Sequence, residues 1–111
     1  MQCSFVNRRL QKKCGAKREL QRSHGAACAK KLLTRFADLE AAENLEQMRT
    51  LPGKCHVLDG DRVGQLAMLL PDGKRLVIEP DVDPIPKKDD GGLDWSRVDA
   101  IRIVEICDYH D

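Results

Sequence analysis

What this sequence lacks narrows its chemistry before any motif is read. No apolar run comes near the roughly 18 residues of a membrane-spanning helix, and no secretory hydrophobic region opens the chain. A soluble, cytoplasmic protein with no membrane partner is therefore expected. Aromatic residues are scarce: two Phe, one Trp and one Tyr among 111 residues. The lone Trp95 reads as a packing anchor for its loop rather than a base-stacking platform. The five cysteines, Cys3, Cys14, Cys28, Cys55 and Cys107, form no C-x-x-C pair. An odd, scattered set fits reduced thiols better than a disulfide framework. P-loop and G-x-G-x-x-G signatures are absent, as are internal repeats and low-complexity tracts.

Excess charge of one sign is also missing, since the formal net charge is only +1. Its distribution is uneven. Residues 1–55 carry 12 Lys and Arg against 5 Asp and Glu, whereas residues 56–111 carry 7 against 13. A basic helical half can attract phosphates, but a near-neutral chain is a poor general adhesive for nucleic acid. Solvated helix faces rich in Lys and Arg account for the count equally well. One domain spanning 1–111 is the natural reading of the length, which suffices to bury roughly two thirds of the unfolded surface.

The pattern along the chain runs from a strand through helices to a series of strands. Cys3 and Phe5 alternate with Gln2 and Ser4, as in a short strand. Asn7 is a favourable N-cap for a helix from Arg8, with Leu10 and Cys14 inward, and Gly15 breaks it. A second helical segment covers 16–22, and Ser23-His24-Gly25 reads as punctuation with His24 exposed. Over 26–40 the apolar residues Ala29, Leu32, Leu33, Phe36 and Leu39 make one helical stripe, with Lys30, Lys31 and Arg35 off it. A short helix over 43–48 and Pro52-Gly53 close the helical half. Strands follow at 55–58, 65–70, 74–79 and 100–107. The middle pair is joined as a hairpin by Pro71-Asp72-Gly73, in which Pro presets φ and Gly accepts positive φ. The last strand is apolar on both faces and so belongs in a sheet interior. Residues 80–99 form a long loop insertion, part of which folds back through Leu93 and Trp95. Such segregation of helices and strands indicates an α+β fold, with N-terminal helices packed on one face of a mainly antiparallel sheet.

Titratable groups gather in two places. The last strand leads into Asp108-Tyr109-His110, and His56 lies in a second strand-to-turn segment. Strand ends are rigid platforms that can present side chains to a substrate, although a solvated polar tail is the plainer reading of the first cluster. Metal-free RNA cleavage needs a base beside the ribose 2′-hydroxyl, an acid beside the departing 5′-oxygen, and cations for the phosphorane. Histidine titrates near neutrality, so His56 and His110 suit acid or base roles, and Asp108 could act as base or orient a histidine. Tyr109 can stack on an unpaired base or bond a phosphate. Arg62 and Arg75 are natural phosphate clamps.

Taken in order, Cys3-Ser4-Phe5-Val6-Asn7-Arg8, Asp38-Leu39-Glu40-Ala41-Ala42, Leu51-Pro52-Gly53, His56-x-Leu58-x-Gly60-Asp61-Arg62-x-Gly64-Gln65, Arg75 and Glu105-Ile106-x-Asp108-Tyr109-His110 span most of the chain. This array resembles the RelE/ParE toxin superfamily, specifically the HigB-like plasmid-maintenance killer branch of type II toxin–antitoxin systems. The resemblance implies a RelE-like domain acting as a ribosome-dependent endoribonuclease on mRNA. Its partner would be a cognate antitoxin, a small helix-turn-helix protein, and no cofactor would be required. By resemblance, His56, Asp108, Tyr109 and His110 match the functional positions; Arg62, Arg75 and Lys54 are expected from their charge to bind substrate. Asp59 departs from the pattern, which often has Lys there. An acid at that place would repel RNA unless Lys54, Arg62 or another cation compensates. The alternative is a catalytically weak or inactive RelE-fold protein that acts through antitoxin binding and regulation.

Two other readings compete. Cys55, His56, Cys107 and His110 supply four ligands suited to zinc, but adjacent residues of a strand point to opposite faces, so no metal site is expected. A DNA-binding antitoxin would need a polar recognition helix, and the regular helix over 26–40 is committed to a core.

Overall fold

A short parallel contact closes an otherwise antiparallel sheet. The structure, a computed structural model, describes residues 1–108. Strands β1 (Gln2–Phe5), β2 (His56–Val57), β3 (Leu66–Leu69), β4 (Lys74–Pro80) and β5 (Ala100–Asp108) lie in the order β1-β5-β4-β3-β2. Among the described residues only β1 and β5 pair in parallel. Helices α1 (Arg8–Cys14), α2 (Lys17–His24) and α3 (Ala26–Ala41) all fall between β1 and β2 in the chain. The α+β architecture read from the sequence is the one observed. No helix among the described residues is long and apolar enough to cross a membrane.

Local chemistry explains most boundaries. Asn7 caps α1 by accepting the Leu10 N–H at 2.8 Å, which satisfies one of the otherwise orphaned first-turn donors. Helix α2 runs two residues further than 16–22 suggests, because Gly25 at φ +86° takes the C-cap and leaves His24 inside the last turn. His24 is half-buried rather than exposed. The short helical segment expected over 43–48 is a 3₁₀ helix at Leu45–Thr50, capped by Asn44. At the hairpin both Asp72 (φ 63°) and Gly73 (φ 71°) take positive φ. Asp tolerates this conformation better than most side chains do.

The core joins one helix face to one sheet face. Cys28, Ala29, Leu32 and Leu39 of α3 and Leu20 of α2 are buried with Leu66, Met68, Leu76, Ile78, Ile101 and Ile103. Truncating a fully buried leucine such as Leu32 to Ala should cost about 2–5 kcal/mol. Trp95 is buried in the same core, with the Arg49 guanidinium 3.7 Å above its ring. It anchors the connection between β4 and β5, and Leu93 packs partly against the core beside it.

One residue of α3 departs from the sequence expectation. Arg35, expected off the apolar stripe, is only 6% exposed. Cys28, Leu32, Arg35 and Leu39 occupy one helix face at spacings of four, three and four, so the guanidinium is carried inward with the leucines.

A bulge in β5 sets which residues face the helices. Leu76 pairs with Ile106 and Val77 with Glu105, but Ile78 pairs with Ile103, leaving Val104 as the extra residue. Bulges shift the alternation of side chains along a strand. Before the bulge Ile101 and Ile103 face the helices. After it, Ile106 and Asp108 take that face, and Glu105 and Cys107 turn to the opposite one.

Candidate functional site on the open sheet face

The sheet face turned away from the helices carries His56. Its strand partner is Ala67, which follows in register to Val77 and then Glu105. The next row carries Leu69, Arg75 and Cys107. Directly paired residues share a face, so His56, Arg75, Glu105 and Cys107 belong to one surface. Ala67 and Val77 floor it and are fully buried.

His56 Nδ1 lies 2.7 Å from the Lys54 carbonyl oxygen. A carbonyl only accepts, so Nδ1–H must donate. In the neutral ring this leaves the Nε2 lone pair available as a proton acceptor, the form a general base requires. The backbone makes the contact possible because Lys54 takes positive φ, +49°, directly after Gly53 at +112°.

Beyond β2 the chain turns through a 3₁₀ segment, Gly60–Arg62. Leu58, Asp59, Asp61, Arg62, Gln65 and Arg75 line a cleft of about 600 Å³. Arg62 donates to Gln65 Oε1 at 2.9 Å and pairs with the Glu105 carboxylate. Arg75 Nε donates to Cys107 Sγ at 3.5 Å. Two arginines and two exposed aspartates therefore border one opening, and Glu105 partly neutralises the first arginine. Asp59 makes no side-chain cap bond to the 3₁₀ segment.

The residues singled out from the sequence separate into three groups. His56 and Arg75 lie on the same sheet face by register, and Arg62 reaches that face through Glu105. Lys54 is joined to His56 through its carbonyl, but the cleft that Arg62 and Arg75 line does not include His56. Asp108 does not join them. It pairs in register with Lys74 on the helix-side face, and its Oδ1 lies 3.1 Å from Lys74 Nζ. The bulge accounts for this, since without the extra residue Asp108 would fall on the open face. Tyr109 and His110 lie outside the described residues.

Sequence reasoning gave no substrate or catalytic role to Glu105, Arg35 or His24, and weighed Cys107 only as a zinc ligand. Glu105 was legible as part of the terminal motif, but its partnership with Arg62 depends on the bulge. Both ring nitrogens of His24 are buried with no hydrogen-bond partner among the described residues. Burial, followed by the nearby Lys13 and Lys74 charges, holds its pKa below the usual value, while Asp108 acts in the opposite sense.

The cysteines are all free thiols. Burial pushes Cys55 up to about 12 and Cys14 to about 11, the nearby Arg49 and Lys13 respectively opposing it. Neither is therefore a ready thiolate nucleophile. Among the described residues no group of three or more His, Cys, Asp or Glu is placed to hold a metal ion. Compared with models of known families and with curated proteins, the sequence matches none.

Proposed function

We propose that the chain is a RelE/HigB-like toxin, a ribosome-dependent endoribonuclease that cleaves mRNA by metal-free acid–base chemistry in the cytoplasm under the control of a cognate antitoxin. The observation that supports the reading is His56, whose bond to the Lys54 carbonyl leaves Nε2 as acceptor on the same sheet face as Arg75 and as Glu105, the partner of Arg62. The α+β architecture and the ordered motif array are compatible with it.

In the proposed reaction His56 Nε2 accepts the proton of the ribose 2′-hydroxyl as that oxygen bonds to phosphorus. The P–O5′ bond breaks, and the 5′-oxygen takes a proton from an acid, a role given to His110. Arg75, with Arg62, stabilises the charge that develops on the nonbridging oxygens. Tyr109 is assigned base stacking. Asp108 is better cast as the Lys74 partner than as a base acting with His56. The ribosome supplies the RNA at high local concentration, which a near-neutral chain needs because its own free binding is weak.

Controlled expression in bacteria tests this reading. The wild-type chain should arrest growth and deplete messages, and His56→Ala and His110→Ala should relieve both effects while accumulating as folded protein. Growth arrest that persists unchanged in folded His56→Ala would remove the central assignment.

A second reading has its own supporting observation. Glu105 neutralises Arg62, and Asp59 and Asp61 line the same cleft, an arrangement that weakens phosphate binding. A RelE-fold protein acting through antitoxin binding rather than cleavage would tolerate those acids. Antitoxin binding without any cleavage of ribosome-bound mRNA would favour it.

A further inference from the structure

We infer that Arg35, Lys31 and Lys54 form a binding site for a single phosphate group, separate from the cleft beside Arg62 and Arg75. The site rests on a buried charge that the fold leaves incompletely satisfied. The Arg35 side chain is only 8% exposed, yet its Nε is buried without a hydrogen-bond partner among the described residues. Its Nη1 reaches one carboxylate, Asp38 Oδ2, at 3.9 Å, beyond hydrogen-bond distance. Guanidinium carries five donors and cannot give up its proton. Burying Nε without an acceptor is costly, and the single long contact to Asp38 leaves the guanidinium with spare capacity for an anion.

Arg35 lines a cleft of about 280 Å³ together with Lys31, Gly53, Lys54, Leu69 and Pro71. Three cations and no carboxylate are among the lining residues. The volume lies below the usual range for drug-sized ligands, and the concentration of positive charge suits a small anion. Phosphate has a geometry that a planar guanidinium matches, and its higher charge suits a site with two further ammonium groups as point charges.

The backbone is shaped to hold the arginine there. A Cβ at Gly53 would come within 2.7 Å of Arg35 Nε and 3.2 Å of its Cδ, so only glycine leaves room. The Gly53 carbonyl accepts the Leu69 N–H at 2.7 Å, tying this turn to β3. Lys54 follows at positive φ. Its carbonyl faces His56 while its residue also borders the phosphate cleft, so the two sites share one backbone turn. The inference stands on these residues and holds whether or not the RNA-cleavage reading does.

Inorganic phosphate is the first probe. It should be titrated into the purified full chain at constant ionic strength, with chloride as the exchanged anion, and followed by backbone amide chemical shifts and by Tm. Saturable shifts at the Gly53 and Lys54 amides, with a rise in Tm that chloride does not give, are expected. Lys54→Met and Lys31→Met, both changes at exposed positions, should each weaken binding by about tenfold, the loss of one charge-assisted contact. Arg35→Met should abolish binding; should that variant fail to fold, the two lysine variants carry the test. Equal responses to phosphate and chloride, shifts confined to other residues, or wild-type binding by both lysine variants would overturn the proposal. A short single-stranded RNA added to the phosphate-loaded protein identifies the source. Displacement of phosphate assigns the site to an RNA backbone phosphate, and co-occupancy assigns it to free phosphate. Because no ribosome or cleavage enters the assay, a negative result here is distinct from failure of the nuclease reading.

Discussion

Replacing Gly53 by Ala isolates the contact that seats the buried arginine. Two penalties combine at this position. At φ +112° an L side chain is strained, which costs about 1–3 kcal/mol. The new Cβ would also lie 2.7 Å from Arg35 Nε and 3.3 Å from Cζ. Displacing a packed side chain to relieve such overlap costs about 1–3 kcal/mol more. Gly60→Ala supplies the control: its φ is +63° and a Cβ there meets nothing within 4 Å, so only strain of about 1–2 kcal/mol applies. Urea unfolding of the two variants should therefore place Gly53→Ala below Gly60→Ala by about 1–3 kcal/mol, with unchanged m-values. Much of that excess should vanish in an Arg35→Met background, because a flexible thioether can yield where the guanidinium cannot. Equal stability of Gly53→Ala and Gly60→Ala, or an excess that persists undiminished in Arg35→Met, would refute the close packing of Gly53 on Arg35.

Three further outcomes follow from the open face and from His24. Glu105→Gln should free Arg62 at a stability cost below about 1 kcal/mol, since the pair is partly exposed, and should tighten ribosome or RNA binding in a filter or sedimentation assay. Asp59→Lys, at an exposed position on the cleft, should raise affinity and steepen its salt dependence by roughly one unit for each additional phosphate neutralised; identical slopes in wild type and variant would show that the position does not face RNA. The neutral form of His24 is favoured in the fold because its pKa lies below the usual 6.5, so its contribution to stability is constant above that value and declines as pH falls toward the lowered one, where the unfolded chain binds the proton that folded His24 resists. Urea midpoints between about pH 7.5 and 5.5 should consequently fall less steeply for His24→Gln than for wild type.

Elements governed by local chemistry were legible in the sequence. The Asn7 cap, the break at Gly15, the Pro71-Asp72-Gly73 turn and the interior position of the last strand each depend on residues adjacent in the chain. Properties that depend on tertiary register were harder to read. Ile101, Ile103, Val104 and Ile106 signal a strand apolar on both faces, but no local feature marks Val104 as the bulge. That single extra residue decides that Glu105 meets Arg62 and that Asp108 meets Lys74. Arg35 was obscured for a different reason. Its chemistry favours the surface, so its spacing from Leu32 and Leu39 was outweighed, and its burial relies on an absent side chain at Gly53 in a distant turn. His56 was found from the motif, whereas the Lys54 carbonyl that fixes its tautomer depends on positive φ at a lysine, which sequence preference does not favour.

Cleavage of ribosome-bound mRNA by purified wild-type, His56→Ala and His56→Gln proteins tests the central claim most directly. Each protein should be incubated with translating ribosomes programmed with a defined message, and the 5′ ends of the products mapped. Wild type should cut the ribosome-bound message and leave naked RNA nearly intact. Both variants should lose about 10²–10⁴-fold in single-turnover rate, because neither Ala nor Gln can take the 2′-hydroxyl proton, while still binding the ribosome. Cleavage by folded His56→Gln at the wild-type rate, or no cleavage by wild type under any ribosomal condition, would contradict the assignment of this surface as a ribonuclease site.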